Sequence, residues 1–141
     1  MRILGLDFGS KTVGVAVCDP LGITAQGVEI IRRPKENHLR RTFKRIEELA
    51  GEYGAEAIVL GYPLNMDDSV GDRARQTLGF KRELEERIGL PVFLYDERLT
   101  TVAADEIMEE AGVSPEDYGK YVDKIAAQII LQDYLNNRPK K

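Results

Sequence analysis

Three carboxylates stand where an ordinary fold has little use for them. Asp7 ends the apolar run Ile3-Leu4-Gly5-Leu6, Glu97 follows Val92-Phe93-Leu94-Tyr95-Asp96, and Asp123 lies at the edge of the stripe formed by Val122, Ile125, Ala126, Ile129, Ile130 and Tyr134. An acid at the end of a buried strand is costly unless it has a partner or a task. Each also has a plain explanation. Asp7 can cap the turn amides of Gly9 and Ser10. Asp96 or Glu97 can begin the next helix, although Thr100 or Thr101 can cap it alone. Asp123 suits the dipole near a helix N-terminus. Carboxylates brought together repel one another unless cations lie between them. The chain has one His and one Cys, so a His/Cys zinc site is out of reach. An all-oxygen set suits Mg²⁺ or Mn²⁺, and two such ions about 4 Å apart are the usual clamp for phosphodiester hydrolysis.

The elements that must position these acids follow from periodicity. Residues 2–8 and 12–18 read as two strands joined by the turn Gly9-Ser10-Lys11, and 28–32 reads as a third. The period then becomes helical over about 36–53, with Leu39, Phe43, Ile46, Leu49 and Ala50 on one face and Gly54 as the stop. A short apolar strand over 57–60 leads into a polar loop, 61–71, and a second helix, 72–88, ended by Gly89. A fifth strand covers 92–95, a third helix about 101–111, and a last helix about 121–136. A hairpin start followed by strand–helix alternation predicts a five-stranded mixed α/β sheet with helices on both faces. The whole chain, 1–141, reads as one domain with a frayed tail over 136–141. The acids then converge on one end of the sheet, two from strand ends and one from the start of the last helix. Ligands bind outside the carboxyl ends of strands in such sheets.

Composition narrows the partners. The net charge is −4 and the pI about 5.1, which by itself disfavours a polyanion. Charge is unevenly spread, however: Arg32, Arg33, Lys35, Arg40, Arg41, Lys44 and Arg45 face only Glu36 in the same stretch, while acid is concentrated from Asp96 to Asp117. Local charge outweighs the total once salt screens it. Cys18 directly follows the apolar run from Val13 to Val17 and reads as a core residue. No signal-peptide core or membrane span is visible, so the expected location is the cytoplasm.

Four segments together resemble the YqgF (RuvX) family. They are Leu6-Asp7-Phe8-Gly9-Ser10-Lys11 with Gly14-Val15-Ala16; Gly61-Tyr62-Pro63-Leu64-Asn65-Met66-Asp67; Asp96-Glu97-Arg98-Leu99-Thr100-Thr101; and Val122-Asp123 followed by Ala126-Ala127. The resemblance spans nearly the whole chain. It implies an RNase H-like fold related to the RuvC resolvases, with catalytic, metal-holding acids at the positions of Asp7, Glu97 and Asp123. It implies hydrolysis of phosphodiester bonds, either in 5′-end processing of precursor 16S ribosomal RNA during ribosome biogenesis or at Holliday junctions. Asp7 is then the best candidate to bridge two ions. Lys11 and Arg98 are candidates to hold backbone phosphates, as is Asn65 to touch substrate, although each base can equally be an ordinary surface residue. The chain departs from the family pattern at Tyr62, at Asp68, and over Tyr118-Gly119-Lys120-Tyr121, where one basic residue is missing. Those departures bear on phosphate contact more than on the acids.

Two rival readings remain on sequence grounds. Leu6-Asp7-Phe8-Gly9-Ser10-Lys11-Thr12 also resembles the phosphate loop of actin-like ATPases and sugar kinases, a fold that needs two such domains. A non-catalytic nucleic-acid-binding module is the other. RNA and DNA cannot be told apart without the groups that meet the 2′-OH. A junction resolvase predicts a homodimer that cuts two strands symmetrically; by sequence alone the chain can be a monomer or a homodimer.

Overall fold

The structure is a computed structural model that describes residues 2–9, 11–35, 39–63, 70–96, 109–114 and 116–137, with the backbone alone over 118–123. Its elements run β1 (Arg2–Phe8), β2 (Thr12–Cys18), β3 (Ala25–Arg32), α1 (Arg40–Tyr53), β4 (Ala55–Tyr62), α2 (Asp72–Ile88), β5 (Val92–Asp96) and α3 (Tyr118–Asn137). The five strands form one sheet in the order β3-β2-β1-β4-β5. β1 pairs antiparallel with β2 and β2 with β3, whereas β1–β4 and β4–β5 are parallel. This is the expected mixed sheet. The central strands are rich in Val, Ile and Leu because both faces are covered.

Alternation along β1 separates two cores. Leu4, Leu6 and Phe8 join Phe43, Ile46, Leu49, Phe80 and Leu84 of α1 and α2 on one face. Ile3 joins Ala127, Ile130, Leu131 and Leu135 of α3 on the other. Phe80 stacks on Phe8 at 4.1 Å and on Phe43 at 5.0 Å between ring centres, which seats both helices against the end of β1. Cys18 is buried as expected, and the amide of Ile3 donates to its Sγ at 3.1 Å. Gly54 and Gly89 end α1 and α2 with φ of 64° and 76°, a left-handed conformation that suits glycine.

Several boundaries differ from the sequence reading. β3 begins at Ala25, not Val28, because α3 holds its first half from the side. Gln132 accepts from the amide of Ala25 at 2.9 Å and donates to the carbonyl of Ile23, and Gln128 accepts from the amide of Gly27 at 3.2 Å. A register shift between Val15 and Ala16 accommodates this attachment. α1 starts at Arg40 rather than near 36, β4 extends to Ala55–Tyr62, and α3 starts at Tyr118 and continues through Asn136 and Asn137. The helix expected over 101–111 lies mostly outside the described residues, with Glu109 and Glu110 helical. Among the described residues, no helix is long and apolar enough to cross a membrane.

Candidate active site at the carboxyl end of the sheet

Parallel pairing brings the carboxyl ends of β1, β4 and β5 to one edge. Leu6 is level with Leu60, Leu60 with Leu94, and Tyr62 with Asp96. Asp7 pairs with Gly14 just short of that edge. Alternation puts Asp7 on the same face as Ile3 and Gly5, the face that α3 covers, and Asp7 is half-buried there. The amide of Gly9 donates to the carbonyl of Thr12 at 2.7 Å. The carbonyl of Thr12 thus serves that turn amide from within the turn.

α3 runs antiparallel to β1, over β2. A Cβ placed on Gly5 would lie 2.7 Å from Leu131 Cβ and 3.0 Å from the Ala127 carbonyl oxygen. One on Gly27 would lie 2.6 Å from Lys124 Cγ. The two glycines let the helix backbone lie directly on the sheet. The row Asp123–Ala127–Leu131 thus flanks β1, while Lys124, Gln128 and Gln132 flank β3. Asp123 precedes Ala127 by one turn, about 6 Å along the axis, so its backbone stands toward the Asp7 end of the sheet.

Glu97, Arg98 and Asn65 lie outside the described residues. Their approaches do not: Asp96 is the exposed last residue of β5, and Pro63 follows β4 at the same edge. Lys11 is exposed on the turn after Asp7. Asp7 is the one acid of the expected triad whose side chain is described. Among the described residues, no three His, Cys, Asp or Glu side chains gather into a metal-holding group.

The sequence reading missed two arginines. Arg33 is buried at 6% exposure, its Nη2 donates to the carbonyl of Gly9 at 2.7 Å, and its amide donates to the carbonyl of Lys11 at 2.9 Å. Arg73, in the first turn of α2, donates to the carbonyl of Phe8. Both guanidinium groups also lie over the Phe8 ring, at 5.2 and 4.9 Å from its centre. These two side chains pin the backbone immediately after Asp7. Only their position in tertiary structure reveals it; in sequence Arg33 is one base among several. Elsewhere on β3, Glu29 takes a two-pronged hydrogen bond from Arg45 at 2.7 and 2.9 Å, which holds its carboxyl below the usual range.

Known proteins align with this chain along its whole length. The family described as "RuvX: Holliday junction resolvase" matches residues 1–137. A Lachnospira eligens protein named "Putative pre-16S rRNA nuclease" is 54% identical over 99% of this chain and 100% of its own. Proteins of the same name are 58% identical in Agathobacter rectalis, over 96% of this chain and 95% of theirs, and 52% in Listeria monocytogenes, over 96% and 98%. Among solved structures, Thermus thermophilus RuvC in complex with Holliday junction substrate superposes with a TM-score of 0.58 at 16% identity, over 97% of both chains. The fowlpox virus Holliday junction resolvase does so with 0.59 at 16% identity, over 98% of this chain and 100% of that one. These two likenesses establish the RNase H-like fold of the RuvC resolvases.

Proposed function

Since the chain belongs to the RuvX family, we propose that it is a metal-dependent nuclease that trims precursor 16S ribosomal RNA during ribosome biogenesis. The observation that carries this reading is end-to-end similarity, at 54% identity, to a relative named for that activity. The enzyme is a hydrolase of phosphodiester bonds, and its partner is nucleic acid. A substrate of this kind puts it in the cytoplasm, and a single cut at one RNA end needs no more than a monomer.

In this reading Asp7, Glu97 and Asp123 hold the divalent ions, Mg²⁺ or Mn²⁺. The fit to such ions rests on Asp7, an oxygen donor half-buried at the sheet end and facing the helix that carries Asp123. Bound there, a divalent ion supplies positive charge against the negative charge that builds on the scissile phosphate. The protein supplies position. Asp7 is fixed from behind by Arg33 and Arg73, which hold the carbonyls of Gly9 and Phe8. Lys11, Arg98 and Asn65 bind the substrate backbone around the cut.

A second reading, cleavage of four-way DNA junctions by a homodimer, is favoured by the description of the family. One experiment separates the two. Purified protein with Mg²⁺ or Mn²⁺ is given a precursor 16S RNA bearing its 5′ extension and, separately, a four-way DNA junction. Shortening of the RNA, lost in Asp7→Asn, is the expected result. Junction cleavage without RNA cleavage would replace the first reading with the second.

A further inference from the structure

Resting on the reading of a nucleic-acid substrate, we propose that Lys11, Arg32, Lys35, Arg40, Arg41 and Lys44 form a docking track for the phosphate backbone of the strand flanking the cut.

These residues come from three pieces of chain that the fold brings to the Asp7 end of the sheet. Arg32 closes β3 opposite Thr12, and the amide of Arg33 bonds the carbonyl of Lys11 at 2.9 Å. Lys35 follows, and α1 starts at Arg40, with Phe43 in its first turn joined through the Phe80 ring to Phe8 at the end of β1. All six side chains named for the track are exposed. Arg33 is the exception that ties them down. Its buried guanidinium grips Gly9 and lies over Phe8, so the basic arm is fixed relative to the turn that follows Asp7.

Charge gives the second argument. The chain as a whole is acidic at −4, yet residues 32–45 hold seven Lys or Arg against Glu36. Among the described residues, none of the six track side chains takes part in an ion pair, whereas Arg45 pairs with Glu29 and Glu48. The track therefore keeps its positive charge without internal neutralisation.

The third argument is that α1 is charged in the wrong direction for its own stability. Its first turn has no acid and Leu39 supplies no side-chain cap, while Arg40, Arg41 and Lys44 crowd the positive end of the helix dipole. Glu47, Glu48 and Glu52 lie toward the negative end. Local rules are broken in this way where function demands it, and here the missing compensation is an external anion. Among the described residues the track offers no exposed aromatic ring, since Phe43 is buried. It therefore grips phosphates rather than stacking on bases, and should be indifferent to sequence.

The test is the triple variant Arg40→Gln, Arg41→Gln, Lys44→Gln of the full chain. Binding of a labelled mixed-sequence single-stranded RNA is followed in EDTA over a range of KCl concentrations. Each lost phosphate contact on a single strand should lower the log–log salt slope by about 0.7, so about 2 for the three. That corresponds to roughly hundred-fold weaker binding at 0.1 M salt. Two unrelated RNA sequences should lose affinity equally, and the variant should melt no lower than wild type. An unchanged slope and affinity overturn the track. Displacement of the RNA by polyglutamate of equal charge also overturns it, in favour of an acidic protein partner. If the variant keeps its slope while wild type cleaves precursor RNA, the track fails and the nuclease reading stands. If the slope falls but wild type cleaves neither RNA nor junction, the track stands and the nuclease reading fails.

Discussion

Replacing Gly5 by Ala probes the close seat of α3 on the sheet, which in the proposed site brings Asp123 toward Asp7. The added methyl would sit 2.7 Å from Leu131 Cβ and 3.0 Å from the Ala127 carbonyl oxygen. Ordinary contacts fall between about 3.5 and 4.0 Å, so the helix must retreat by roughly 1 Å. Neither contact can be relieved by a rotamer change, because one atom is a Cβ and the other is backbone. Overpacking of this kind costs about 1–3 kcal/mol. For a chain of this size that is a fall in melting temperature of about 3–12 °C. Activity should suffer more than stability. A displacement of about 1 Å at a positioning group can cost roughly a hundred-fold in rate, and Asp123 rides on the displaced row. The assay is a thermal melt paired with cleavage measured well below the melting point. Leu131→Ala should not rescue the variant, because it keeps the offending Cβ. Gly51→Ala is the control. Nothing lies within 4 Å of its added methyl, and relief of helical glycine should stabilise α1 by about 0.5–1 kcal/mol. Gly5→Ala melting and cleaving like wild type would mean that α3 does not rest on β1 here, and the proposed pairing of Asp123 with Asp7 in one site would go with it.

Asp7→Asn, Glu97→Gln and Asp123→Asn should each abolish cleavage with an unchanged far-ultraviolet spectrum, and Mg²⁺ should raise the melting temperature of wild type more than that of Asp7→Asn; full activity in any one removes that residue from the site. Arg73→Gln should lower stability by about 1–2 kcal/mol through the charged hydrogen bond lost at Phe8, while Arg73→Lys recovers part of the cleavage rate; equal melting of both with wild type would show that the bond holds nothing. Glu29 has its carboxyl held below the unfolded value near 4.5 by Arg45, so the pair stabilises the fold above about pH 4.5 and loses that contribution as pH falls through the lower folded value. Both side chains are about a third exposed, so at most about 1 kcal/mol is involved. The melting difference between wild type and Glu29→Gln should narrow as pH falls below about 4.5, and a constant difference down through the acid range would contradict the assignment.

Where local chemistry decides, the sequence was enough. α2 spans Asp72–Ile88 as its periodicity and Gly89 predict, and the Thr12–Cys18 strand follows from its β-branched run. Where a distant segment decides, it was not. Gln26 and Gly27 have no strand character of their own and are held extended by glutamines about a hundred residues away. Tyr118-Gly119-Lys120 offers no helix-start signal, yet α3 begins there. The Asp7 position was legible because an acid inside an apolar strand is anomalous by itself. Arg33 was not, because a buried guanidinium and a solvated one are written with the same letter. The approach of Gly5 to α3 was invisible for a similar reason: a glycine in a strand does not say what lies above it.

The amides that fasten β3 to α3 have a consequence for the protein in crowded solution. β3 is one edge of the sheet, and an open edge is a template on which foreign chains add as new strands. Here the donors of Ala25 and Gly27 and the acceptor of Ile23 are already taken by Gln132 and Gln128. Glutamine does not titrate and is little screened by salt. The seal therefore persists in acid, where the neighbouring Glu29–Arg45 pair has let go, and the first half of β3 should stay closed to intermolecular pairing until α3 itself unfolds.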